Sequence, residues 1–358
     1  MMPAADDAEV SSRRTSGPAW AVWVVLVGLL TGLAALQLSF GLVSIPLTEV
    51  LVLLTGGTSD DVWSRIVLDF RLPRALAALA AGASLGVAGL LLQTVFRNPL
   101  ADPWFLGLVH SARLGVALLV VAAGSAGGTL LGGLGFVDSA ALAVAAGAGA
   151  GGMTLVLLAL APRVSPVTLL LTGLMLGQTA EGLISVVLHF TSEAQGRAFG
   201  SWNDGTFTTV TILQWRILAA VGLAGVSVAV ALAKPLNTLL LGDDYARTLG
   251  LSVARVRMTA VAVAALLAGA VTAFCGPVAF LGILAPHLAR AVFRTADHRR
   301  LVPAAALLGA TLAMLTDVIT HLPWSRHFLH MNAVLGLIGG PVVVVLLLRG
   351  RSGQRFEV

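Results

Sequence analysis

The residues best suited to chemistry are few and widely spaced. Arg71 and Arg74 stand three apart in "RLPR", ahead of a long run with no charge. Arg113, Glu181 and Asp317 lie inside apolar runs, where a charge at mid-bilayer costs at least about 2.5–3.5 kcal/mol and so signals a role. Asp317 and His321 are four apart, the spacing that lets two side chains meet on one helix face. The seven histidines are scattered, with polar helix ends or turn hydrogen bonds as their ordinary use. No G-x-x-x-x-G-K-[ST] loop is present to cradle a nucleotide, and no H-E-x-x-H or cysteine cluster offers a metal site. The single Cys275 excludes an intrachain disulfide.

The elements that must position these groups are membrane spans. The chain is 57% hydrophobic and 11% charged with a mean hydropathy of +0.93, against about 25% charged residues in soluble proteins. Continuous apolar runs favour helices over an alternating β-barrel. Runs near 19–39, 73–95, 104–123, 139–161, 167–190, 211–233, 256–275, 278–292, 301–321 and 331–348 predict ten helices in one all-α integral membrane unit. The eighth is too short to cross unless it is partly re-entrant or flanked by protein. Cytoplasmic tails are expected at 1–18 and 350–358 around a ten-helix membrane domain at 19–349, with wet loops at 39–72 and 191–210 on the other side. With both ends cytoplasmic, fifteen of the arginines and lysines fall inside and six outside, as the positive-inside rule requires. The net charge of +5 therefore reflects topology and implies no nucleic acid. Glycines at 82, 86 and 89, and again at 147, 149, 151 and 152, predict close helix packing.

The run "RLPRALAALAAGASLGVAGLLLQTVFRNPLADPWFLG", followed by "GPVAFLGILAPHLAR", "DHRRLVPAAALLGA" and "NAVLGLIGGPVVVVLLLR", resembles the FecCD family. These are permease subunits of ABC importers for iron-siderophores, haem and vitamin B12, and the resemblance covers roughly residues 20 to 349. It implies a ten-helix subunit working as a homodimer in the bacterial inner membrane, driven by two separate ATPase subunits that bind ATP and Mg, and fed by an extracytoplasmic binding protein. The chain itself would hold no cofactor, and the missing phosphate loop fits that division of labour. A ferric siderophore is the expected cargo, with haem or cobalamin as alternatives. An ion-coupled secondary transporter using Asp317, Glu181 or Arg113 as a relay is the rival from another class.

The resemblance also assigns roles by position. Arg71 and Arg74 would stand exposed at the outer mouth and capture carboxylates of the binding protein, with Asp317 and His321 nearby; His321 replaces the family's usual arginine and would make docking pH-sensitive. Leu241, Gly242, Asp243, Asp244, Tyr245, Ala246, Arg247, Leu249 and Gly250 match the coupling helices that fit a groove on the ATPase. Asn98, Pro99 and Leu100, with the turn at Ser165, Pro166, Val167 and Thr168, correspond to the inner gate, although Pro166 and Val167 depart from the pattern. "LGLVHSARLG" replaces a small-residue stretch, and spacing of three puts His110 and Arg113 on one face, where they would line the pathway and meet carboxylates or metal of the cargo.

Overall fold

A computed structural model describes residues 19–41, 43–125, 139–321 and 329–353. Most of both tails, with Arg13, Arg14 and Arg355, lies outside the described residues, as do Arg326 and His327. Among the described residues the chain is helical: α1 (Ala19–Ser39), α2 (Leu47–Leu54), α3 (Asp61–Arg65), a π-helical turn (Ile66–Arg71), α4 (Leu72–Val95), α5 (Leu108–Ser125), α6 (Ser139–Leu160), α7 (Pro166–His189) and α8 (Glu193–Asn203). They are followed by α9 (Ile212–Ala231), α10 (Ala233–Leu240), α11 (Asp243–Thr248), α12 (Val253–Cys275), α13 (Leu281–Phe293), α14 (His298–Thr320) and α15 (Met331–Gly353). Seven helical stretches are long and apolar enough to cross a membrane, and three shorter apolar helices match the remaining predicted runs.

The centre is α4. It packs against α9, α12, α13 and α14 and is buried on nearly every side. Small residues make this possible: a Cβ on Gly82 would overlap the Gly309 carbonyl of α14, one on Gly86 the Ala305 carbonyl, and one on Gly89 the Gly282 carbonyl of α13. Positions 82, 86 and 89 thus form the close-approach stripe read from the sequence. The second glycine cluster corrects that reading. Only Gly149 of α6 meets a neighbour, at Ser111 of α5; Gly147, Gly151 and Gly152 have nothing within 4 Å of a built Cβ.

Two stretches expected as loops contain structure. Residues 61–95 form one continuous helical rod, starting where the Asp60 carboxylate accepts the Val62 N–H at 2.8 Å. Pro73 had marked the start of the span. A proline ring in a regular helix clashes with the carbonyl four residues back, here that of Asp69. The π turn widens the chain just before it, the Leu72 N–H reaching back to Val67 O, so the helix passes through. In 191–210, Ser192 and Gln195 form a reciprocal capping box that starts α8.

The short eighth run becomes α13, thirteen residues long, entered through buried non-helical backbone at Gly276, Pro277 and Val278. At membrane depth such backbone needs internal partners. Asn332 of α15 supplies them: its Oδ1 accepts the Ala279 N–H at 3.0 Å, and its Nδ2 donates to Pro277 O at 2.8 Å and Asp204 O at 3.2 Å. Thr206 N donates to Cys275 O at 2.8 Å, so the end of α8 joins the same repair.

Candidate functional site

The first cluster joins the start of α4 to the end of α14. Arg74 Nε donates to Asp317 Oδ2 at 2.7 Å and its Nη2 to Asp317 O at 3.2 Å, while Gln37 Nε2 donates to the same carboxylate. His321 Nδ1 lies 2.9 Å from Asp317 O and 3.7 Å from Asp317 Oδ1, so the predicted Asp317–His321 pairing is secondary to Arg74. Burial, then the charge of Arg74, hold the His321 imidazole below its ordinary pKa, against the opposing pull of Asp317. Three of the four predicted docking residues, Arg71, Arg74 and His321, border a cavity of about 320 Å³ shared with Phe40 and Phe70, and Asp317 lies buried behind Arg74.

Their exposure is not as expected. Arg71 is 7% exposed. Its Nη1 donates to Leu38 O at 2.7 Å and Ser39 O at 2.9 Å, and its Nη2 to Val43 O, so the guanidinium clamps the turn between α1 and α2. A planar fork with five donors can staple three carbonyls of one loop, and here that use replaces the exposed capture site. Asp317 is 1% exposed and Arg74 is largely buried against it, leaving His321 as the more accessible member.

The second cluster lies midway along α5 and α7. Arg113 grips Glu181 with both Nη atoms, the Nη2–Oε1 bond being 3.1 Å, and its Nε donates to Asn203 Oδ1 at 2.6 Å at the end of α8. Two charges expected separately thus form one bidentate pair that ties three helices. Glu181 presents its carboxylate outward, 42% exposed against 12% for Arg113. His110 sits one turn earlier on α5, but it is buried edge-on to Trp104, 5.5 Å between centroids, with Nδ1 lacking a hydrogen bond. Gly177 of α7 abuts that ring, which removes His110 from any open surface and corrects its assignment to a lining role.

On the opposite side, Asp243 receives Arg97 Nη2 at 2.7 Å and Arg257 Nη2 at 2.8 Å. This double bridge pins α11 to the end of α4 and the start of α12. Ala246 is buried beneath it, while Tyr245 and Leu249, four apart along α11, are exposed on one face, and Leu241 at the end of α10 is exposed as well. Asp244 and Arg247 form an exposed pair at 3.3 Å. Gly242 has φ +109°, in the region only glycine enters without strain, and turns the chain into α11.

Asn98 Oδ1 accepts the Leu100 N–H at 3.0 Å in a tight turn after α4, with Pro99 between. Two residues on, Asp102 is 5% exposed and accepts the Trp104 N–H at 2.8 Å. Burial pushes its carboxyl up to about 6, that N–H pulling the other way. Ser165 is a helix cap: its Oγ accepts the Thr168 N–H at 3.1 Å, with Pro166 in the first turn and Val167 exposed. Residues the sequence reading passed over include Gln37, Asn203, Asn237 and Asn332. Gln37, Asn203 and Asn237 are lone amides without a motif, Asn332 opens a quoted motif without an assigned role, and only the fold reveals what each joins.

Comparison with known proteins places the chain among transporters. The model of the FecCD transport family matches residues 29–349. The ferric enterobactin transport system permease FepD of Escherichia coli K12 is 34% identical over 329 residues, 92% of this chain and 95% of FepD. The vitamin B12 import system permease BtuC of Escherichia coli O9:H4 is 34% identical over 287 residues, 80% of this chain and 84% of BtuC. A solved inward-facing structure of an ABC transporter assigned to the metal-chelate type superposes with a TM-score of 0.79 at 25% identity, covering 92% of this chain and 99% of the other.

Proposed function

The chain belongs to the FecCD transport family as a permease subunit of an ABC importer, and we propose that two copies form the conduit by which an iron-siderophore-type chelate enters the cytoplasm. FepD carries ferric enterobactin and BtuC vitamin B12, so the two relatives bracket the cargo class. Power comes from separate ATPase subunits, and an extracytoplasmic binding protein delivers the chelate. Both termini lie in the cytoplasm, an orientation supported by the excess of basic residues on that side.

The observation that carries this reading is the anchorage of α11. A coupling element transmits force only if it is stiff toward the bundle and sticky toward its partner. Asp243 bridges to Arg97 and Arg257 supply the first property, and the exposed apolar side chains of Leu241, Tyr245 and Leu249 the second. Movement of the ATPases then displaces the ends of α4 and α12 together, opening and closing the two ends of the conduit in turn. Binding-protein docking falls to the surface around His321 and Arg74. The Asn98–Leu100 turn and the Ser165–Thr168 cap border the inner exit, and the outward pole of the Arg113–Glu181 pair faces the conduit. The ion-coupled alternative loses support because Asp317, Glu181 and Arg113 are each held in an ion pair.

Proteoliposomes with the permease, its ATPase and its binding protein should take up a ferric chelate only with ATP. Tyr245→Ala should separate ATP hydrolysis from uptake while the bundle stays folded. Uptake by the permease alone would overturn the proposal.

A further inference from the structure

The ends of four helices on the α11 side enclose a cleft of about 300 Å³ bordered by Gln93, Arg97, Leu240, Arg290, Ala296 and His298. Arg290 is the residue that asks for an explanation. It is half-buried, its Nη1 donates to Gln93 Oε1 at 2.6 Å, and none of the ion pairs formed by the described residues includes it. A guanidinium withdrawn from water needs a counter-charge. The C-terminal turn of α13, where Arg290 sits, contributes only a partial one.

The neighbours do not complete it. The cleft lining contains no acid. Arg97 faces the same space, and the one carboxylate beside it, Asp243, is already shared between Arg97 and Arg257. His298 is fully engaged, with Nδ1 2.7 Å from Asn237 Oδ1 and Nε2 2.8 Å from Thr94 Oγ1. Asp297 is the one acid between residues 290 and 300; its carboxylate accepts Asn237 Nδ2 at 2.6 Å and the Arg299 N–H at 3.0 Å. Arg294, Arg299 and Arg300 are exposed on the same rim and add positive potential. The cleft lies where two candidate spans end, Val95 closing the one and His298 opening the other, which is headgroup level when those helices cross a bilayer.

We propose that this cleft is an oxyanion site that receives the phosphate of an anionic lipid headgroup, with the Arg290 fork as its principal ligand and Arg97 as the second wall. A guanidinium matches two phosphate oxygens at once, and basic pockets between helix ends on the cytoplasmic side suit such headgroups. The lipid then supplies the missing counter-charge, next to the segment that anchors α11.

The test uses the purified full chain in phosphatidylcholine nanodiscs with and without phosphatidylglycerol, read by thermal unfolding and by native mass spectrometry of retained lipid. Phosphatidylglycerol should raise the midpoint of the wild type and stay bound. Arg290→Gln should lose both effects, and Arg290→Lys should keep them in part. Ala296→Glu, an exposed position on the cleft, places a carboxylate within the protein and should remove the lipid dependence without unfolding the chain. Inorganic phosphate separates the sources: protection by phosphate and not by phosphatidylglycerol would overturn the lipid assignment. Equal lipid protection of wild type and Arg290→Gln, loss only in an Arg299→Gln/Arg300→Gln variant, or protection that requires the ATPase subunit would each overturn the site.

Discussion

Asp102 offers a quantitative test, because a buried carboxyl in the connection between α4 and α5 makes stability depend on pH in a defined direction. Its folded value is about 6 against an ordinary 3.8. The folded protein therefore holds a proton that the unfolded chain releases, and the sign follows: stability is full below 3.8, falls as pH rises through the window, and levels off above about 6. At about 1.4 kcal/mol per unit, the cost of the group is about 3 kcal/mol near pH 8 and roughly half that near pH 5. Asp102→Asn is nearly isosteric, keeps an oxygen for the Trp104 N–H and carries no charge at either pH. It should stabilise the protein by about 3 kcal/mol near pH 8, and by roughly half as much near pH 5. Unfolding by sodium dodecyl sulfate in mixed micelles at the two pH values measures both quantities. A variant that destabilises equally at both pH values, or a wild type more stable at the higher one, would refute the assignment of a neutral buried carboxyl.

Gly89→Ala should lower stability by about 1–3 kcal/mol, because the new methyl meets the backbone carbonyl of Gly282 and neither helix can yield alone. Gly151→Ala, which meets open space, should be neutral or slightly stabilising in the same thermal melts. Arg113→Gln leaves Glu181 without its partner and should cost about 1–2 kcal/mol, discounted for the carboxylate's exposure, whereas Arg113→Gln with Glu181→Gln should recover most of it; additivity in that double-mutant cycle would deny the pair. For His321 the folded value is depressed, so its contribution is present above the ordinary imidazole value and lost as pH falls. His321→Asn should flatten the acid side of the stability profile, and an unchanged profile would remove His321 as its source.

Some of this was legible in the residues and some was not. Each of the ten apolar runs contains a helix, seven of them within stretches long enough to cross a membrane and three shorter, because apolar length is read directly from the residues. The stripe at 82, 86 and 89 was readable because helical spacing alone puts those glycines on adjoining faces. The similar-looking cluster at 147–152 misled, since a glycine reports that a neighbour could come close and not that one does. Arg71 was misread for a related reason. An arginine at the mouth of a span looks exposed until the loop that folds over it is known, and the carbonyls it binds belong to residues about thirty positions earlier.

Sequence alone determined the solvent, the positions and approximate limits of the ten apolar runs, the absence of a nucleotide loop, and through its ordered motifs the family. These depend on composition and local spacing, which no distant contact can alter. Tertiary structure decided which charges neutralise each other, that Asp317 belongs to Arg74 and Glu181 to Arg113, and that Arg290 has no acid paired with it among the described residues. Those pairings join residues from 68 to 243 positions apart, and electrostatic energy depends on distance and burial, quantities that exist only once the helices have packed.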